Sequence, residues 1–187
     1  MYQKYIKRFF DFTGALILFI LFFPIMIITA VIIKLSLGKL TIKETVLREG
    51  INQKPFQMYK IRTKIDGTRG KPDNQRYTTL TKIIDIFRIN ELPQLFNIIK
   101  GDMSFVGPRP FLVNDDLSDY VVSKKRYLVK PGITGLAQIN GARSISQKQK
   151  LEYDIIYYDK ISLLLDLKII LLTPVAVIKE YINYLTQ

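Results

Sequence analysis

The chain contains neither histidine nor cysteine, which excludes imidazole acid–base catalysis, thiolate nucleophiles and disulfides. Chemistry must therefore fall to carboxylates, lysines, arginines, tyrosines and hydroxyls. Two residues stand out by their local setting. Arg109 lies between Pro108 and Pro110, and a proline restricts the residue before it to extended backbone, so this guanidinium sits on a stiff loop suited to a phosphate or to a structural salt bridge. Glu91 falls at a helix boundary, where the helix dipole favours a carboxylate. Lys60, Arg62 and Arg88 are further cations, readable as phosphate ligands or as solvated surface charges.

The elements that would hold these groups follow from the pattern around them. Residues 64–76 are polar and rich in glycine, proline and aspartate, the composition of a surface loop of the kind that often covers an active site. Residues 78–100 read as helical, with Pro93 opening a second helix that stops at Gly101, so the break falls near Asn90 and Glu91. Residues 103–110 cannot form a regular helix. Residues 131–138 read as a glycine-rich turn followed by a short apolar strand or loop next to a ligand. In residues 151–185 the aliphatic run is interrupted by Asp166 and Lys168, which favours a core or interfacial helix over a spanning one.

Length and charge bound the remainder. With 187 residues the expectation is one domain. The 28 Lys and Arg against 16 Asp and Glu give a formal charge of +12, which draws the protein to anionic headgroups, phosphates or nucleic acid. No aromatic–basic motif of a nucleic-acid module is present, and nucleic acid is not expected as a partner. Residues 12–33 carry no charge, enough for a helix of about 33 Å. Pro24 interrupts that run, and basic residues flank it on both sides: Lys4, Lys7 and Arg8 before, Lys34, Lys39 and Lys43 after. This predicts a re-entrant helix, broken at Pro24, that dips into one leaflet and returns, with a kinked spanning helix as the alternative.

The run ELPQLFNIIKGDMSFVGPRP at 91–110 resembles the signature of the bacterial sugar transferases, the monotopic phosphoglycosyl transferases. PFQMYKIRT at 55–63, PGITGLAQINGAR at 131–143 and EYDIIYYDKISLLLDLKIILLT at 152–173 are similar to other family segments in the same order. The resemblance implies a mostly helical α/β protein with a small sheet or extended segments. Residues 1–38 would form the membrane helix and 39–187 a cytoplasmic domain at the surface of the bacterial inner membrane. It implies transfer of a phosphosugar from a UDP-sugar to polyprenol phosphate with release of UMP, and magnesium as cofactor. Glu91 would hold Mg²⁺, and Lys60, Arg62, Arg88, Arg109 and Arg143 would bind substrate. Membrane lipids, glycan-assembly enzymes and a second copy of the chain complete the expected partners.

The chain departs from the family pattern at the catalytic dyad, where the family carries Asp-Glu and this sequence reads Asn90-Glu91. An amide is a very poor nucleophile, although it keeps the shape and the hydrogen bonding of aspartate. Asp85 stands where a basic residue is usual, Lys64 replaces a methionine, Gln147 and Lys148 replace Trp-Glu, and Arg143 comes one position late. The alternative to a transferase is therefore a non-catalytic relative that binds donor or lipid, or supports a partner enzyme.

Overall fold

The apolar amino-terminal run forms the longest element of the protein. The computed structural model describes residues 2–42, 47–68, 70–113, 115, 120, 122–141 and 144–185. After a π-helical turn at Tyr2–Ile6, helix α1 spans Lys7–Leu37 as one continuous helix, so the break expected at Pro24 is absent: the proline has no N–H to offer the preceding turn, but the helix runs on through it. It ends at Gly38, whose φ of 69° is the left-handed conformation that commonly closes a helix.

Both ends of α1 are tied to the same domain. At its start Lys7 Nζ lies 2.7 Å from Asp166 Oδ2, and Arg8 donates to the carbonyls of Ile98 and Ile99 at 2.6 and 2.7 Å. Near its end Ile33 packs with Ile61 and Ile84. Between them Phe9, Ile17, Ile20 and Leu21 are exposed, and the helix is long and apolar enough to cross a membrane.

A short antiparallel pair, β1 (Arg48–Glu49) and β2 (Pro55–Phe56), precedes the polar loop and the single turn α2 (Asp73–Arg76). Helix α3 (Thr79–Ile86) begins with a reciprocal Thr78–Thr81 capping box, which satisfies amides that the first turn leaves open. A 3₁₀ turn at Ile89–Glu91 then leads into α4 (Gln94–Lys100), entered at Pro93 and closed by Gly101 at φ 94°. The expected helix, break and second helix are all present, with the break running from Phe87 to Pro93 around the 3₁₀ turn. The two guanidinium bonds from Arg8 fall on the last carbonyls of α4, where a positive charge suits the helix dipole.

Strands β3 (Ser104–Val106) and β4 (Gly132–Thr134) pair in parallel, with Ser104 opposite Gly132 and Val106 opposite Thr134. Gly107 lies against this pair so closely that a Cβ there would come within 2.2 Å of the Lys130 carbonyl. The loop that carries Arg109 is thereby pressed onto the glycine-rich segment. Helices α5 (Leu136–Ile139), α6 (Gln147–Lys160) and α7 (Leu163–Leu185) complete a mostly helical, single-domain α/β fold.

The carboxyl-terminal segment is two helices rather than one, separated at Ile161 and Ser162. Asp166, which interrupts the aliphatic run, is buried and accepts hydrogen bonds from Lys7, Tyr2 and Tyr157 at 2.7, 2.5 and 2.7 Å. Tyr157 of α6 belongs to the core. The opposite face of α7 exposes Leu164, Leu167, Leu171, Val175 and Ile178, a helical-period stripe of apolar surface.

Candidate active site

The 3₁₀ turn between α3 and α4 aims two neighbouring side chains in different directions. Arg88, at a left-handed φ of 57°, redirects the chain out of α3. The Asn90 carbonyl then accepts from the Ile61 amide at 2.9 Å, which brings the 55–63 segment against the turn and sets Lys60 beside Glu91. Glu91 Oε1 receives Lys60 Nζ at 2.8 Å and an Arg88 guanidinium nitrogen at 3.2 Å.

Burial alone would push the Glu91 carboxyl up, but the charges of Lys60, Arg109 and Arg88 and the Lys60 hydrogen bond outweigh it and hold the group at about 2. Glu91 is thus a carboxylate at any physiological pH. Arg109 is exposed on its Pro-Arg-Pro loop, and among the described residues it makes no ion pair within contact distance. Of its two sequence readings, the setting favours the phosphate.

Asn90 turns the other way. It is fully buried, and its amide nitrogen donates to Asp85 Oδ1 at 2.8 Å. Asp85 also accepts from Thr63 at 2.9 Å and Tyr77 at 3.2 Å. A carboxylate is acceptor-only, so the amide must present its N–H to Asp85, and its oxygen is left buried with no hydrogen-bond partner.

Glu91, Arg88 and Arg109 open onto a cavity of about 820 Å³. Its lining also includes Arg48, Arg126 and Asp154, together with the apolar Leu18 and Phe22 of α1 and Ala176 and Val177 of α7. Arg126, which the sequence reading missed, is buried; it bonds Asp154 at 3.1 Å and the Arg109 carbonyl at 2.7 Å, and stacks 3.8 Å from the Phe111 ring centre. It holds the loop that presents Arg109. Burial pushes the Asp154 carboxyl up to about 6 despite the opposing charge of Arg126.

The remaining predicted residues are dispersed. Lys60 reaches the site through Glu91. Arg62 instead pairs with Asp66 and bonds the Lys64 carbonyl at 3.1 Å, within the polar loop. Arg143 lies outside the described residues. Among the described residues no cluster of three or more metal-ligating side chains exists, and Glu91 is the carboxylate of the turn that a metal ion here would use. That fits magnesium, which commonly takes one or two carboxylates and completes its shell with water and substrate phosphates.

Residues 2–180 match the family described as bacterial sugar transferase. The chain belongs to that family. It is 44% identical over 173 residues to the uncharacterized sugar transferase EpsL of Bacillus subtilis (strain 168), covering 90% of this chain and 85% of that protein. It is 38% identical over 184 residues to the UDP-glucose:undecaprenyl-phosphate glucose-1-phosphate transferase of Caulobacter vibrioides, covering 89% of this chain and 67% of that one. Against the UDP-N-acetylgalactosamine-undecaprenyl-phosphate N-acetylgalactosaminephosphotransferase of Aeromonas hydrophila the identity is 36% over 182 residues, 90% of this chain and 43% of the relative. As a bacterial sugar transferase the chain falls among enzymes that handle phosphosugars, and its apolar α1 associates it with a membrane.

Proposed function

We propose that this bacterial sugar transferase moves a phosphosugar from a UDP-sugar to a polyprenol phosphate, a transfer of the kind that the names of its relatives describe for them, and releases UMP. The observation that carries the reading is the ionised Glu91 among Lys60, Arg88 and Arg109, beside a cavity lined by both cationic and apolar side chains. The cations offset diphosphate charge, and the apolar side chains suit an isoprenoid chain. Magnesium, held through Glu91 and substrate oxygens, would supply charge neutralisation on the diphosphate.

With Asn90 in place of a carboxylate, the transfer takes a single displacement. An oxygen of the acceptor phosphate bonds to the β-phosphorus while the bond from that phosphorus to the bridging oxygen breaks, and the electron pair leaves on UMP. Residues 1–38 form the membrane part and 39–187 the domain on the cytoplasmic face of the inner membrane. The basic flanks of α1 and the attachment of both its ends to one domain support a re-entrant course. The chain initiates assembly of a surface glycan.

A second reading rests on the Asn90–Asp85 bond, which engages the amide away from Glu91: the chain binds donor or lipid without turnover, or supports a partner transferase. Acceptor-dependent UMP release from a panel of UDP-sugars by the purified chain separates the two. Release supports the transferase. Donor binding without release supports the second reading.

A further inference from the structure

The segment PGITGLAQ ends in a polar side chain, Gln138, set between apolar neighbours. Gln138 sits in α5 between Ala137 and Ile139, and all three line the cavity that Glu91 and Arg109 share. Both polar atoms of its side chain, Oε1 and Nε2, are buried without a hydrogen bond, although the residue as a whole is only half-buried. Its oxygen rests at the seam where the Arg109 loop meets the glycine-rich segment: a Cβ built on Gly135 would lie 2.8 Å from Gln138 Oε1 and 2.3 Å from the Gly107 carbonyl.

A carboxamide with neither its donor nor its acceptor used is costly, whereas a methionine of similar shape would cost nothing of the kind. The amide ends two rotatable bonds beyond Cβ, so a torsional turn carries it from its covered place into the cavity its own stem lines. There a single ligand edge that sets an acceptor beside a donor can satisfy both atoms together. The N3–H and C4=O edge of uracil has that form, and so do two adjacent hydroxyls of a sugar. An acetamido group does not, because in a trans amide the N–H and C=O point apart.

We propose that Gln138 is a specificity-determining residue for the nucleotide-sugar donor, pairing through its N–H and its oxygen with such an adjacent donor–acceptor edge. The inference rests on the UDP-sugar reading above and names the group that reads the donor.

The test measures binding of UMP, CMP and a UDP-sugar to the full chain in lipid nanodiscs, for the wild type, Gln138→Met and the near-isosteric Gln138→Glu, with thermal midpoints to confirm folding. Recognition of the base predicts that both variants lose roughly tenfold in UMP affinity. Recognition of the sugar predicts unchanged UMP binding and a loss of about tenfold for the UDP-sugar alone. Variants that fold and bind all three ligands like the wild type overturn the proposal while leaving the donor reading intact. A wild type that binds neither UMP nor any UDP-sugar at millimolar concentration contradicts the donor reading, and this proposal with it.

Discussion

The Asn90 amide donates to the Asp85 carboxylate at 2.8 Å, joining two of the positions at which the sequence departs from the pattern that its resemblance led us to expect. The two departures are complementary. A carboxylate at 85 needs a donor facing it, and an amide at 90 supplies one, whereas an aspartate at 90 would set oxygen against oxygen.

Restoring the family dyad by Asn90→Asp alone is therefore expected to destabilise the protein. Two carboxylates at such a distance cannot both ionise, and their pair takes up a proton. The loss should be on the order of 1–3 kcal/mol near neutral pH and smaller in acid, where that proton is retained. The double variant Asp85→Asn/Asn90→Asp removes the clash and should recover most of it. Thermal melts at pH 5 and pH 8 check this; a single variant as stable as the wild type at both values contradicts it.

A covalent phosphosugar intermediate would let labelled UMP enter UDP-sugar without acceptor. The wild type, lacking a nucleophile at 90, should show no such exchange, while the double variant should gain it. Exchange by the wild type would show that another residue serves as nucleophile.

Glu91 links the site to pH. Its folded value, about 2, lies below its ordinary 4.5, so it contributes stability that is present above about 4.5 and lost as the pH falls toward 2. The contribution is on the order of 3 kcal/mol. Lys60→Met removes the nearest opposing charge and leaves burial to raise the carboxyl. That variant should weaken donor binding and lose part of its stability at higher pH than the wild type does, measured by denaturation at stepped pH.

Arg126 should matter more than its distance from the dyad suggests. Arg126→Met leaves Asp154 buried without its partner, at a cost of roughly 3–5 kcal/mol. Asp154 already titrates near 6, above its ordinary 3.8, because burial outweighs Arg126. Removing Arg126 raises it further. A raised carboxyl favours folding at low pH and loses that contribution as the pH rises, so the variant should be relatively more stable at pH 5 than at pH 8. The Arg109 loop also loses its anchor, and weaker donor binding should accompany the loss of stability. An equal effect at both pH values would contradict the assignment.

The parts legible in the sequence were those fixed by local chemistry. Pro93 and Gly101 marked the ends of α4, and the spacing of prolines around Arg109 marked a stiff loop, because backbone restriction acts over a few residues. Glu91 was found through its motif. What escaped depended on contacts across the chain. The hub at Asp166 joins residues 159 positions apart, and its sequence sign was only a charge in an aliphatic run. Arg126 carried no local sign in the sequence, yet Asp154, Phe111 and the Arg109 carbonyl enclose it. Arg62 shows the reverse, since its neighbours suggested the site while the fold turns it toward Asp66.

UMP release by the unaltered chain, with and without polyprenol phosphate across a panel of UDP-sugars, tests the account most directly. The account predicts release that requires the acceptor and is lost in Glu91→Gln. No release from any sugar by the wild type, alongside clear release by Asp85→Asn/Asn90→Asp, would contradict it and leave a donor-binding relative in its place.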